Sequence, residues 1–525
     1  MKLFGISLIT LGLLSSFVFF IIILILLVTD HVAIVPAIAM TVAFNFLLWL
    51  VGPKITDFIN RIFYKVRFLE QQEVEQHYPH IAKLIQSVAD EYKFKFPKVG
   101  IIADNNPTAF TYGSARFNAR LVITQGIFKY LNEDEQKAVV AHEMGHIVHR
   151  DFVVMTIAST LVQILYELYA VLIRTRGRNN PLPLIGMLSF ILYWIGSYLL
   201  LFLSRTREKL ADAFSAKITE PDDLATALIK IAYGIVTESD DDKTKRLLAS
   251  TRHMGLVDVK DAKATGSLTY VAHHDRHIIA EAMVFDSYNP WAKLIELNST
   301  HPLTGRRIHL LSKLPSKSGR TFSYDVDGAA TRMHLNVDAL WRNFFKDMGI
   351  VLLPFALFGV FLVFTKSFAL ALAALGLGFL AKAMYRYPIR EAAKTTVLDE
   401  MRNPYASPLR GKPVRIEGHV VGRGVPGYVF GEDMMYQDKT GLIFVNYHSA
   451  LGFLGNILFA LRKVKKLMGL PSVAEGWFHR HMASMLTLRR LETGEGVTKS
   501  YRHVWSRIWP SLLIIISLIV VFAGR

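Results

Sequence analysis

What most constrains this chain is the way its apolar residues are gathered. They fall into seven long runs, at 5–28, 32–52, 152–172, 182–203, 349–364, 368–383 and 508–523, with charged stretches between them. A helix of about 20 apolar residues spans the hydrocarbon core of a bilayer, and only helices or closed barrels can carry a backbone through it. The first six runs pair through short connections, so the chain reads as three transmembrane hairpins and a final span, with soluble segments between. The first run is too long for the apolar core of a signal peptide and has no small-residue cleavage site behind it. It therefore reads as a retained span.

The formal net charge is +17, from 60 Lys and Arg against 43 Asp and Glu. No nucleic-acid motif accompanies that excess, so a nucleic-acid partner is set aside in favour of basic segments facing anionic headgroups. The loop 29–31 carries no Lys or Arg, whereas Lys54, Arg61, Lys65 and Arg67 follow the second run. The positive-inside rule then places both ends of the first hairpin in the cytoplasm. Arg174, Arg176 and Arg178, in the connection of the second hairpin, run against that rule but are outweighed by the longer basic segments. The chain has no cysteine. Disulfides, thiolate metal sites and cysteine nucleophiles are thereby excluded, and any metal must be held by His and carboxylate ligands.

Between the first two hairpins, Pro79–Tyr92 has helical periodicity, while Lys98–Ala103 and Leu121–Gln125 read as short strands around a turn-rich stretch at 104–118. Asn132, with Glu135 three residues on, forms a capping box that opens a helix running through Arg150. On it lies His142-Glu143-Met144-Gly145-His146. Histidines four apart on a helix stack on one face, a geometry that suits two ligands of a tetrahedral Zn2+, and Glu143 beside them can reach a metal-bound water. Two core-facing histidines would be the bland alternative. A third His just downstream would mark a metzincin, but Phe152 stands there, at the mouth of a span, so a carboxylate from a later helix is required. The best candidate is Glu208, with Asp212 four residues on to accept a proton from a ligating imidazole and set its tautomer. Glu-x-x-x-Asp is common on solvated helices; its value here comes from lying one membrane hairpin after the first motif.

With these residues on the page, the chain resembles the HtpX family of membrane zinc proteases and, more distantly, the CAAX prenyl proteases. The resemblance runs from Asn105 to Leu311. It rests on Ala109-Phe110, Val122-Ile123-Thr124, Asp134-Glu135, Ala141 to His146, His149-Arg150-Asp151, Ser204-Arg205, Arg207-Glu208, Ala211-Asp212, Ser299-Thr300-His301-Pro302 and Arg307-Ile308. It implies a gluzincin with one Zn2+ held by His142, His146 and Glu208, with Glu143 as general base. It also implies that His301 and Arg307 lie near the substrate, where both could hydrogen-bond an oxyanion. For His301 the alternative is a helix-start residue, and for Arg307 a solvated surface charge. The family's cleft opens toward an edge strand, here within 108–113, so Ala109, Phe110 and Thr111 are expected to bind substrate by strand addition. A plain core strand is the other reading. Thr108 stands where the family usually has Asn, and His149 is expected to lie beyond coordination reach.

After the third hairpin, Lys412–Gly422, Leu442–Val445 and a pair of strands within Gly476–Leu491 surround a helix-like stretch, Leu451–Leu470, with a basic end. Short strands with one inserted helix resemble a small OB-type barrel. The aromatic pattern of an oligonucleotide binder is absent.

The expected fold is thus a polytopic α-helical membrane protein with a mostly helical gluzincin domain, a small β-sheet or hairpin at its cleft, and a C-terminal OB-like β domain. Its parts are an N-terminal hairpin at 1–52, a protease domain at 53–346 containing the hairpin 152–203, a hairpin at 347–384, a separate cytoplasmic β-rich unit at 385–505, and a final span at 506–525. The expected function is zinc-dependent endoproteolysis of membrane or misfolded proteins at the cytoplasmic face of a prokaryotic-type plasma membrane. Its partners would be polypeptide substrates and the lipid bilayer, with no nucleic acid and homo-oligomerisation left open. A CAAX-type prenyl protease and a non-catalytic scaffold or transporter are the alternatives. Glu167, inside the third run, reads either as a functional intramembrane carboxylate or as half of a buried pair. The cluster His273-His274-Asp275-Arg276-His277 fits no coordination pattern, and 238–246 reads as a solvated charged loop.

Overall fold

The computed structural model describes residues 2–28, 34–175, 180–237, 275–424, 430–481 and 484–523. The loop 29–31, Arg176 and Arg178, the charged patch 238–246, and His273 with His274 lie outside the described residues.

Helices α1 (Lys2–Val28) and α2 (Ile34–Phe63) come first, and each packs against helices of the second hairpin. Among the described residues, six helices are long and apolar enough to cross a membrane, and the 9–25 portion of α1 is a shorter apolar helix beside them. Several helices outrun their apolar stretches. α2 continues past Gly52 and through Pro53 to Phe63. Hydropathy marks where lipid ends, not where a helix must.

The soluble unit that follows begins with β1 (Arg67–Leu69), α3 (Gln71–His77), α4 (Pro79–Glu91), β2 (Lys98–Ile102), β3 (Ala109–Tyr112) and β4 (Arg120–Thr124). The strands form one sheet in the order β1-β2-β4-β3, with β2 parallel to β4 and β3 antiparallel to it (Phe110 opposite Val122). Most of 104–118 is turn and loop, but the edge strand lies within it. The extension of α2 docks on this sheet: Asp57 accepts from Arg120 Nη2 at 2.9 Å and from the Tyr112 hydroxyl at 2.7 Å. Behind the sheet come α5 (Gln125–Tyr130) and α6 (Glu133–Val148). The Asn132–Glu135 capping box closes reciprocally, both hydrogen bonds being 2.9 Å. Ile85 and Val88 of α4, Leu121 and Ile123 of β4, and Val139, Met144 and Ile147 of α6 share one core.

α6 does not run through Arg150 as expected. It stops at Val148, and Arg150 adopts a left-handed conformation (φ 58°) before α7 (Asp151–Leu172) starts. The second hairpin is completed by α8, which shows no break at Ser204: it runs unbroken from Leu182 to Ile218, 37 residues. At ~1.5 Å per residue that is about 55 Å, against a hydrocarbon core of about 30 Å. No Gly or Pro lies between Tyr198 and Ile218 to stop it, so a membrane span continues directly into the segment bearing Glu208 and Asp212. Within the hairpins, Glu167 of α7 accepts from Gln163 at 2.9 Å and from Thr41 of α2, a polar clamp between two hairpins.

Next come α9 (Pro221–Thr237), α10 (Arg276–Ala282), α11 (Val284–Tyr288), α12 (Pro290–Glu296), α13 (Thr304–Leu311) and α14 (Val326–Arg332). The third hairpin is α15 (Val337–Thr365) and α16 (Phe368–Arg386), followed by β5 (Ala393–Lys394) and α17 (Val397–Met401). Then β6 (Lys412–Arg423), β7 (Met434–Asp438), β8 (Gly441–Asn446), β9 (Pro471–Arg480) and β10 (Ser484–Thr493) close into a ring, β6-β7-β8-β10-β9-β6. Only the β8–β10 pairing in that ring is parallel. Helices α18 (Gly452–Arg462) and α19 (Val464–Leu467) are inserted between β8 and β9. This is a five-stranded OB-type barrel, extended by β5 on β6 and by β11 (Gly496–Lys499) on β10. The chain ends in α20 (Arg502–Ala523).

The barrel does not stand apart from the first half. Its core residues Val414, Ile416 and Tyr436 are continuous with Phe285, Ala292 and Leu303. Asp347, fully buried at the start of the third hairpin, accepts from Trp291 Nε1 (3.0 Å), Tyr385 Oη (2.6 Å) and Ser407 Oγ (2.7 Å), joining three segments in one carboxylate. Charge segregation along the chain suggested a separate unit; shared apolar burial makes it a docked one.

Candidate metal centre

α6 and α8 cross closely at Gly145. A Cβ there would lie 3.1 Å from the Ala211 Cα and 3.2 Å from the Phe214 Cβ, so only glycine lets the two backbones meet without displacement. That crossing sets His142 and His146 opposite Glu208. The His142 and His146 Nε2 atoms are 3.2 Å apart, and Glu208 places Oε2 3.5 Å from the first and Oε1 3.6 Å from the second. Ligands at about 2.0–2.1 Å from a tetrahedral metal stand about 3.3–3.4 Å from one another, so this triangle has the required size. Glu143 belongs to the same group: with His142 and His146 it forms a cluster whose ligand atoms lie within 4.8 Å of one another. Glu208 Oε2 is buried and makes no aligned hydrogen bond, so its lone pairs are available to a cation.

Each imidazole is held from behind by a carboxylate. His142 Nδ1 lies 2.9 Å from Asp212 Oδ1, and His146 Nδ1 lies 2.6 Å from Asp151 Oδ2. A carboxylate only accepts, so His146 Nδ1 carries the proton and its Nε2 lone pair faces the centre; His142 is set against Asp212 in the same way by distance, without hydrogen-bond alignment. Behind each carboxylate stands a buried arginine. Arg307 grips Asp212 with two hydrogen bonds, 2.9 Å from Nε and 2.6 Å from Nη2. Arg207 donates to Asp151 from Nε at 2.6 Å and also from Nη2. The two relays, His142–Asp212–Arg307 and His146–Asp151–Arg207, are counterparts. Burial opposes a charge on His142, but the carboxylates of Asp212 and Glu208 facing it outweigh burial, and its pKa is raised.

Asp151 and Arg207 back His146 in the structure, and the sequence reading gave neither a place in the site. Both stand in the quoted motifs, yet Asp151 reaches His146 only because the left-handed turn at Arg150 swings the chain back. Gly145 likewise has a role visible only at the crossing. His149 points elsewhere: its ring meets Phe214 edge-on at 5.7 Å, and burial, then the nearby Arg207 and His146, depress its pKa to about 4.

His301 is buried with Nδ1 3.2 Å from Glu208 Oε2, but neither ring nitrogen makes an aligned hydrogen bond. Its loop is tied to α8 by Arg205, whose Nη1 donates to the carbonyls of Glu296 (2.9 Å) and Ser299 (2.7 Å). Arg307 comes no nearer to Glu208 than 3.9 Å and turns its guanidinium on Asp212. On the open side, β3 is an edge strand, and Thr111 Oγ1 donates to Glu143 Oε2 at 3.0 Å. The Ala109 and Phe110 side chains are buried, leaving the main chain of β3 as the contact they can offer. Thr108 acts through its backbone, its N–H donating to Thr124 Oγ1 at 2.9 Å.

Fold and site together define a membrane-embedded metallopeptidase of the HExxH class. Residues 75–314 match the model of peptidase family M48. Among curated proteins, the chain is 34% identical over 187 residues to a protease HtpX homolog of Methanothermobacter thermautotrophicus, covering 35% of this chain and 69% of that one. It is 30% identical over 269 residues to the protease HtpX homolog of Methanocaldococcus jannaschii, covering 49% and 81%. A crystal structure of S. mikatae Ste24p aligns at 20% identity with a TM-score of 0.33, covering 59% of this chain and 66% of that one. The chain belongs to peptidase family M48, among its HtpX-like membrane metalloproteases.

Proposed function

We propose that this chain is a zinc endopeptidase that cuts membrane or misfolded proteins at the cytoplasmic membrane surface, in the service of protein quality control. The observation that carries the reading is the triangle of His142 Nε2, His146 Nε2 and Glu208, with both imidazoles locked by carboxylates behind them. An N2O donor set suits Zn2+, and three protein ligands leave one position open. When bound, the ion would polarise a water at that position and the peptide carbonyl beside it.

The chain's own residues do the rest. Glu143, oriented by Thr111, takes a proton from the attacking water and hands it to the leaving amine nitrogen. His301 Nε2 donates to the carbonyl oxygen as it gains charge. Arg307 and Arg207 act as positioning residues, holding Asp212 and Asp151. A substrate segment adds to the free edge of β3 through main-chain hydrogen bonds, which tolerates varied sequence. α7 starts five residues after His146, and Glu208 lies only a turn or so beyond the apolar part of α8. The site therefore works close to the bilayer, where membrane-protein segments emerge. The positive-inside pattern of the first hairpin supports a cytoplasmic setting.

The test uses the full chain in detergent, with its Glu143→Gln variant. Metal content is measured, and cleavage of casein and of an unfolded membrane protein is followed with and without chelator. Cleavage by the wild type alone, abolished by chelation and restored by Zn2+, is expected. A chain that holds zinc yet cuts nothing would sink the proposal.

A further inference from the structure

We infer that the junction between the third hairpin, α20 and the barrel is a binding site for one anionic glycerophospholipid. A cavity of about 780 Å³ opens there, far in sequence from the metal centre. Its walls carry Lys382 and Arg386 from the end of α16 and Arg502 from the start of α20, and no carboxylate lines it. Among the described residues, no carboxylate comes within ion-pair distance of these three cations. Arg386 Nε is buried without a hydrogen-bond partner. Three cations gathered around a hollow whose walls carry no carboxylate call for an anion from outside.

The placement says which anion. α16 runs toward the barrel and α20 away from it, and the two pack closely: a Cβ on Gly376 would meet the Pro510 carbonyl at 3.0 Å. The cationic end of α16 is thus level with that of α20, at the depth where each helix passes from apolar to charged residues. Below the cations the cavity is lined by Phe379, Trp509 and Leu513, which suit acyl chains, while Trp505 stands at headgroup level. Basic pockets between membrane helices are recognised sites for acidic headgroups, and Trp favours the interface.

The barrel supplies the roof. Phe453 of α18 lines the cavity and is 75% exposed, and Leu454 beside it is 70% exposed. Arg462, Lys463, Lys465 and Lys466 follow directly. An inserted helix with bare apolar residues and a basic end lies on a membrane surface. With the membrane under α18, the cavity opens to lipid, and a bound phosphate would tie the barrel to the hairpin through Arg386 and Arg502. This site does not depend on the proteolytic reading.

The experiment is native mass spectrometry and thermal unfolding of the full chain in detergent, titrated with phosphatidylglycerol, phosphatidylcholine, or glycerol 3-phosphate. We expect retained phosphatidylglycerol adducts and a raised Tm. Phosphatidylcholine should bind far more weakly, and glycerol 3-phosphate should not compete at millimolar concentration. Each cation contributes about fivefold, so the triple variant Lys382→Gln/Arg386→Gln/Arg502→Gln should bind phosphatidylglycerol on the order of 100-fold more weakly. If the triple variant does not fold, the exposed position alone decides: Arg502→Gln should cost about fivefold. Equal retention of the two lipids, unchanged affinity in the variants, or competition by glycerol 3-phosphate would each overturn the lipid assignment.

Discussion

Histidine behaves in opposite ways in the two halves of this molecule. At the metal centre, His142 is fully buried, yet its pKa is raised, because Asp212 and Glu208 stand against it. In the barrel, His479 is equally buried and its pKa falls to about 3, driven by burial and then by the charge of Arg386. His481 follows it to about 4 for the same reasons. Among the described residues no carboxylate is paired with either ring, and the Nε2 of each lacks a hydrogen-bond partner. Burial alone therefore favours the neutral imidazole, whereas facing carboxylates favour the charged one. The first half places its charges in chains of donor and acceptor on two crossing helices. The second half also buries charged groups, Arg480 beside Asp286 and Glu400 beside Lys412, but each of these is held in an ion pair.

Five substitutions and a pH comparison can break or sharpen that contrast. The largest effect belongs to Glu143→Gln, which should retain metal and fold but lose about 10²- to 10⁴-fold in kcat. If turnover survives, the water-activating role lies elsewhere in the site. His301→Ala should lower kcat by about 10²- to 10³-fold while KM changes little; an effect confined to KM would make His301 a binding residue only. The two relays predict matched losses: Asp151→Asn and Asp212→Asn should each weaken metal affinity by about 10- to 100-fold, read by competition with a chelating dye. A large asymmetry between them would show that the counterpart geometry is not an energetic one.

Away from the site, Asp347→Ala should strand three donors at the junction of the halves and destabilise the chain by about 2–4 kcal/mol. It should be seen as a lower Tm with activity per folded molecule kept. The smallest effect is a pH dependence in the barrel. Asp433 Oδ1 accepts from Asn446 Nδ2 and from the Tyr447 N–H, both at 2.9 Å, but burial raises its pKa to about 6. A carboxyl whose folded pKa exceeds its unfolded value near 4 binds its proton more tightly when folded. Its contribution to stability is therefore present at low pH and lost as pH rises through about 4 to 6. Asp433→Asn keeps both hydrogen bonds through its own carbonyl oxygen. The wild type should lose Tm relative to this variant between pH 5 and pH 7.5, and a constant difference would rule the account out.

Much of the structure was legible because it rests on local or periodic signals. The Asn132–Glu135 cap and the four-residue spacing of His142 and His146 are each decided within one element. The ends of α2, α8 and α15 were not legible, because lipid stops where polarity begins while a helix continues until something breaks it. For the same reason the helix bearing Glu208 is the continuation of a span and not a new element. The charge-rich region after the third hairpin looked independent, since no local signal reveals that Phe285 and Ala292 share its core.

By itself, the sequence determined that the chain enters a membrane, that a metal must be held without thiolates, and that His142, His146 and a later carboxylate can supply the ligands. Those conclusions depend on composition and helical period. Only the tertiary structure decided that Gly145 lets α6 and α8 touch, that Asp151 turns back behind His146, and that Arg307 belongs to Asp212. These depend on where two helices cross and how one left-handed residue redirects the chain, and such long-range contacts leave no periodic mark in the sequence.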